Sequence, residues 1–276
     1  RYWLRNTTDN PQGAIEGTVS KIITLNCTAG SIQDITANLD PHDYDGDHYY
    51  MWDAQEQYWK GYEWTKHLPG NTGQPTISQG LPGATTSSNY AQNNADPNHR
   101  YYNESYPGVH VINPATNISF NNVPNANEIS WYCVFGDPRW DGDELWTTMG
   151  HLYKGGMWFK KKSVLLAEHH YDTEISSDGL IDVRVNPTHK MYFNFNSSIY
   201  NSGLPSVANA SNYFYLPALG RYIDGELSFL STWGMYWSSS ADSYVSGKAW
   251  ELIFNSSMVR VVHNPRYDGH RIDGFE

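Results

Sequence analysis

The sequence predicts an α+β domain, strand- and loop-rich with one or two helices, from three observations. Short runs of β-branched and aromatic residues recur between clusters of Gly, Pro, Asn, Asp and Ser, the punctuation of strands and turns. A single segment, residues 141–153, places apolar residues at helical spacing. The 276 residues, 39% hydrophobic and 17% charged, suffice for one large or two small domains and are too apolar for a disordered chain.

Residues 1–40 read as an N-terminal extended segment or linker, and 41–276 as the domain proper. Within the first part, Lys21-Ile22-Ile23-Thr24-Leu25-Asn26-Cys27 is a strand pattern. An acidic turn cluster, Asp40 to Asp47, precedes an aromatic stretch from His48 to Trp64. Residues 66–107 are Gly, Pro, Asn, Ser, Thr and Gln with little periodicity; a loop that long in a compact domain is usually functional or mobile. A strand resumes at Val109–Ile112. The helix is expected over Asp141–Tyr153, where Leu145, Met149 and Leu152 share one face. Acids at its start suit the helix dipole, and Gly155-Gly156 ends it. Strands are expected at Met157–Ala167, Leu180–Val185 and Met191–Phe195, then at Leu227–Leu230, Tyr236-Trp237, Ala249–Asn255, Val259–His263 and Arg271-Ile272. No internal repeat is visible.

With 29 acidic against 18 basic residues, the net charge is -11, which argues against nucleic acid and anionic lipid as partners. Lys160-Lys161-Lys162 is the only basic run and reads as a solvated strand end. No apolar run approaches the roughly 20 residues of a membrane helix, so the chain is expected to be secreted and soluble, without membrane insertion of its own. Any export signal or anchor would lie outside it or have been removed. Aromatics reach 15%, with 21 Tyr and 11 Trp. Such residues offer large contact areas with few rotors, useful both for pinning loops and for binding.

Of the two cysteines, Cys27 and Cys133 either pair as a disulfide in an oxidising compartment or remain buried thiols. No cofactor is expected. Asp43-x-Asp45-Gly46-Asp47 hints at calcium but lacks EF-hand spacing and its terminal Glu. Glu168-His169-His170 could bind metal, but adjacent histidines on a strand point to opposite faces. Asp141, Asp143, Glu144, Glu168, Asp172 and Glu174 include no pair whose spacing singles out glycoside hydrolysis.

The C-terminal blocks carry the most specific signal. They are Tyr215-Leu216-Pro217-Ala218-Leu219-Gly220-Arg221-Tyr222, Gly225-Glu226-Leu227, Gly234-Met235-Tyr236-Trp237-Ser238-Ser239-Ser240, Ala249-Trp250-Glu251-Leu252-Ile253-Phe254-Asn255 and Arg266-Tyr267-Asp268-Gly269-His270-Arg271-Ile272. In this order they resemble the C-type-lectin-like module of Bacteroidetes surface proteins. Those include the Fibrobacter major-paralogue type and the variable proteins of diversity-generating retroelements. The resemblance implies a C-type-lectin-like fold with Trp237, Trp250, Leu252, Phe254 and Ile272 in the core. It implies an exposed ligand-binding face drawn from Trp233, Met235, Tyr236, Asp242, Tyr244, His263, Asn264, Arg266, Tyr267, Asp268 and His270. If the face is diversified, Trp233 and Met235 would stay fixed while its Tyr, Asn, Asp, His and Arg positions vary.

The formylglycine-generating enzymes share this fold class and use a C-terminal cysteine pair, whereas no cysteine follows Cys133. The expectation is therefore a non-catalytic adhesin domain at a bacterial pilus tip or outer surface. Its partner would be a protein or glycan ligand on a host or microbial surface, with pilus subunits as further partners. A phage or viral receptor-binding protein with the same module is the alternative.

Overall fold

The computed structural model describes residues 2–4, 15–23, 25, 28–32, 34–35, 38–63, 76–77, 89–149, 151–185, 190–196, 199, 203–273 and 275–276. In chain order the elements are β1 (Tyr2–Leu4), β2 (Ile15–Gly17), β3 (His42–Asp43), β4 (Tyr49–Tyr50), β5 (Thr76–Ile77), α1 (Ala126–Phe135), β6 (Arg139–Thr148), β7 (His151–Lys160), α2 (Lys162–Ala167), β8 (Tyr192–Asn194), β9 (Tyr213–Pro217), β10 (Leu219–Ile223), β11 (Glu226–Leu230), β12 (Gly234–Ala241), β13 (Lys248–Asn255), β14 (Met258–Pro265) and β15 (His270–Arg271). The chain is α+β and strand-rich, as the turn punctuation predicts. Among the described residues no helix is long and apolar enough to cross a membrane.

Two sheets carry the fold. The smaller runs β3-β6-β7-β9; the larger runs β5-β11-β10-β12-β13-β14-β8, with β15 joining β12 to β4. Strands β12, β13 and β14 form an antiparallel meander, with Trp237 opposite Glu251 and Glu251 opposite Val262. One face of it is apolar because Trp250, Leu252 and Phe254 alternate with Glu251 and Ile253. Helix α1 packs on that face. Ile129, Tyr132 and Cys133 meet Leu252, Phe254, Val259 and Val261, and Met157, Phe159 and Phe214 close the far side. Tyr236 stacks on Phe254 at 5.9 Å between ring centroids and donates its hydroxyl to the Pro217 carbonyl at 2.7 Å. Burying each such large apolar side chain contributes about 1.5–3 kcal/mol.

The expected helix at 141–153 is instead the β6–β7 hairpin. Its acids serve a bulge between Asp141 and Leu145, where Asp141 Oδ1 accepts from the Asp143 and Glu144 amides at 3.1 and 3.2 Å. Leu145, Met149 and Leu152 are all buried because the hairpin lies between other layers, so their spacing matches a helix by coincidence. The long helix is α1, whose buried residues include Ala126, Asn127, Ile129, Ser130, Trp131, Tyr132 and Cys133. A helix enclosed nearly all round has no apolar stripe to read. Its one legible mark is the capping box, in which the Asn125 side chain accepts from the Asn127 and Glu128 amides and Glu128 accepts from the Asn125 amide.

Four strand expectations also change. Val109–Ile112 forms a turn and bend, and Leu180–Val185 forms turns held by Asp178, which accepts from the Leu180 and Ile181 amides. Residues 162–167 coil into α2 once Lys160 ends β7. Lys21–Ile23 and Leu25 take no strand conformation, and the remainder of that pattern, with Cys27, lies outside the described residues. Upstream of it, the segment is stitched to β6: Leu145 donates its amide to the Thr18 carbonyl at 2.7 Å and Ser20 donates to the Glu144 carboxylate at 2.8 Å. Ile272, expected in the core, is half-buried at its edge.

Gly220 shows one backbone constraint the fold imposes. Its φ is +63°, and a Cβ there would sit 2.0 Å from the Ser228 carbonyl oxygen across the β10–β11 hairpin. Gly220→Ala should cost about 1–2 kcal/mol from the left-handed conformation alone, with the backbone clash added. A thermal melt of the variant indistinguishable from that of the parent would refute this reading.

Candidate functional site

The expected face residues lie in two clusters with unequal exposure. In the first, Asp242 is buried and accepts from the Tyr244 and Val245 amides at 2.7 and 3.1 Å. It also pairs with His263, whose ring stacks on Trp250 at 5.2 Å. Burial works against the ionised carboxyl, but the His263 and amide hydrogen bonds outweigh it and hold the Asp242 pKa below its ordinary value. Half-buried Tyr244 reaches His110 with its hydroxyl, ring against ring edge-on at 4.6 Å.

The second cluster follows β14. Arg266 is 0% exposed, with its guanidinium 4.6 Å over the Trp52 ring and donating to the Lys248, Asn103 and Ser105 carbonyls. Burial pushes its pKa down to about 10. His270 is also fully buried, stacked on Trp237 at 4.1 Å and 8°. It meets Glu251 and lies 3.8 Å from Asp268. Burial pulls the imidazole pKa down, but these two acids win and raise it. Arg221 Nη1 donates to Asp268 at 3.0 Å, and Asn264 donates to Glu251.

Several expected face residues are therefore scaffold in this chain. Met235, Tyr236, Asp242, Arg266, Asp268 and His270 are buried, because burying an ion or a stacked ring requires partners the neighbouring strands supply. Trp233 is half-buried, with the Arg260 guanidinium 5.8 Å over its ring. Tyr267 stands out, at 49% exposed.

Tyr267 borders a cleft that the sequence reading missed. One lobe, about 290 Å³, lies between Met51, Tyr90, Gln92, Tyr101, Asp224 and Tyr267. A second lobe of about 300 Å³, lined by Gln55, Asn94, Tyr102 and Glu104, shares Tyr101 with it. The Tyr101 and Tyr102 rings are 4.6 Å apart, and Tyr90 stacks in parallel on Tyr58 at 6.5 Å. Most of this wall comes from residues 89–104, within the long loop whose composition marked it as functional or mobile.

That loop is held firmly. Arg100, 3% exposed, forms a two-pronged pair with Asp96 at 2.7 and 3.0 Å and donates to the Asn89 carbonyl at 2.8 Å. Burial opposes the Asp96 charge, but Arg100 outweighs it and keeps the carboxyl pKa below its ordinary value. Asp53, at φ +55°, ties the loop to its neighbours. Its carboxylate accepts from Asn103 Nδ2 at 2.7 Å, from the Thr116 and Asn117 amides at 2.8 Å each, and from Thr116 Oγ1 at 2.9 Å. A cleft with walls fixed in advance spends little binding energy on ordering itself.

Elsewhere the acidic motif around Asp43 has structural partners. Asp43 accepts from Thr147 Oγ1 at 2.7 Å and Asp45 from the Asp47 amide at 3.0 Å. His170 stacks on Phe135 at 4.0 Å. Among the described residues no three His, Cys, Asp or Glu side chains are grouped to hold a metal. Cys133 is a buried free thiol whose pKa burial raises, and Cys27 lies outside the described residues. No family model, curated protein or solved structure matches the chain.

Proposed function

We propose that this chain is a non-catalytic ligand-binding domain of a bacterial surface adhesin, carried at a pilus tip or on the outer surface. In this reading the module has the C-type-lectin-like fold suggested by the order of its C-terminal blocks. The observation that carries the binding role is the tyrosine-walled cleft, in which Tyr90, Tyr101 and Tyr267 border an open groove over a rigid base. Tyrosine favours recognition because it brings a large surface and a polar tip with only two rotors. The Arg221–Asp268 pair anchors the residue next to Tyr267. Any diversification would be confined to Tyr244 and Tyr267, since changing the buried positions or their partners His263 and Asn264 would strand a charge or open the core.

The test is binding of the full chain to glycan and protein arrays, repeated with Tyr101→Ala and Tyr267→Ala. Each variant should lose at least ten-fold in affinity for the ligand found, while near-UV circular dichroism stays native. Unchanged affinity in both, or no ligand on either array, would defeat the proposal.

A further inference from the structure

Resting on that reading, we infer that the cleft takes an uncharged oligosaccharide, laid across the Tyr90–Tyr101–Tyr267 wall with its hydroxyls directed to the acidic and carboxamide side chains. Three features of the lining point to this class. The first is the pairing of aromatic rings with side chains that mainly accept or both donate and accept. Tyrosine faces suit the C–H faces of a sugar ring. Asp224 and Glu104 can only accept when ionised, Glu104 already from Asn94, whereas Gln55 both donates and accepts. A hydroxyl needs such mixed partners because it donates and accepts at once.

The second feature is charge. The cleft is bordered by Asp224 and Glu104, and the nearby guanidiniums are engaged. Arg100 is paired with Asp96, Arg221 with Asp268, and Arg266 lies buried under carbonyls. A carboxylate, sulfate or phosphate would therefore meet repulsion without a bidentate cation to offset it. Sialylated, uronic and nucleotide ligands are disfavoured, and the chain's net charge of -11 adds to this.

The third is shape. Peptide ligands are usually read by an apolar pocket or an added strand. Here the apolar part of the floor is Met51 and Ala91, both buried, and the rest is polar. Each lobe lies near the lower limit of the ~300–1,000 Å³ typical of ligand sites. The lobe walled by Tyr90, Tyr101 and Tyr267 suits a ring-sized unit stacked on those rings.

Isothermal titration of the full chain decides it, using the neutral hexaoses of maltose, cellulose, xylan, mannan and chitin types against hexagalacturonate and sialyllactose. At least one neutral hexaose should bind, with hexagalacturonate and sialyllactose at least ten-fold weaker. Tyr101→Ala should weaken the neutral ligand at least ten-fold. Gln55→Ala, an exposed position on the second lobe, should weaken it several-fold. Binding of an anionic glycan in preference, or of no neutral hexaose, overturns the inference. If array screening meanwhile finds a protein ligand that Tyr101→Ala abolishes, the adhesin reading stands and the sugar class alone falls.

Discussion

Replacing Asp273 by Ala should destabilise the protein by about 3–5 kcal/mol, the cost of removing one partner from a buried ion pair. Arg271 is 1% exposed. Its Nε donates to Asp273 Oδ2 at 2.6 Å, its Nη1 donates to the Asp45 carbonyl at 2.7 Å, and its guanidinium lies 4.9 Å from the Tyr49 ring centre. Without Asp273 that cation stays buried between β4 and β12 with its carboxylate partner gone. Urea denaturation at neutral pH measures the loss, and a loss below about 1 kcal/mol would contradict it. Arg271→Leu combined with Asp273→Ala should recover part of the deficit, because the stranded charge is then gone.

The same pair sets an acid limit. Burial pushes the Asp273 carboxyl up, but Arg271 and the hydrogen bond from His48 outweigh it and hold its pKa at about 2. A carboxyl depressed on folding contributes stability that is present above its unfolded pKa and is lost as pH falls through its folded one. Wild type should therefore lose about 2 kcal/mol from this group between about pH 4 and pH 2. Asp273→Ala should lack that component of the acid transition; an identical acid profile would rule the coupling out. His48 runs the opposite way. Its hydrogen bond to Asp273 raises its pKa, so its contribution is full below the ordinary histidine pKa and fades as pH rises past the folded value. Half its side chain is exposed, so solvent screening keeps that contribution small.

Trp237→Ala is the second large effect, about 3–5 kcal/mol for opening a large cavity in a closed core. Trp237 is 0% exposed and packs with Trp52, Phe120, Val123, Ala241 and Ala249. Its Nε1 donates to the Tyr50 carbonyl at 2.9 Å, tying β12 to β4. His270 stacks on its ring, so the cavity would also loosen the contacts of His270 with Glu251 and Asp268. Trp237→Phe should keep most of the packing and lose about 1–3 kcal/mol for the orphaned carbonyl. Equal losses for Ala and Phe in chemical denaturation would show that the hydrogen bond, not the ring, is what matters.

The sequence by itself determined the α+β class, the run of C-terminal strands and the burial of Trp250, Leu252 and Phe254. All of these follow from local alternation and turn residues, which a strand writes directly into neighbouring positions. It did not determine α1, whose enclosed surface erases the helical stripe, or the β6–β7 hairpin, where apolar spacing of three and four recurs by accident in a strand pair buried on both sides. Tertiary structure alone decided which polar residues are scaffold. Arg266, Asp268 and His270 read as a binding face in a line of sequence, yet each is buried against groups far away in the chain, such as Asn103, Arg221 and Glu251. The cleft escaped for the same reason. Tyr90 and Tyr101 come from a loop without periodicity, held by Asp53 and the Arg100–Asp96 pair, and they meet Asp224 and Tyr267 only in three dimensions.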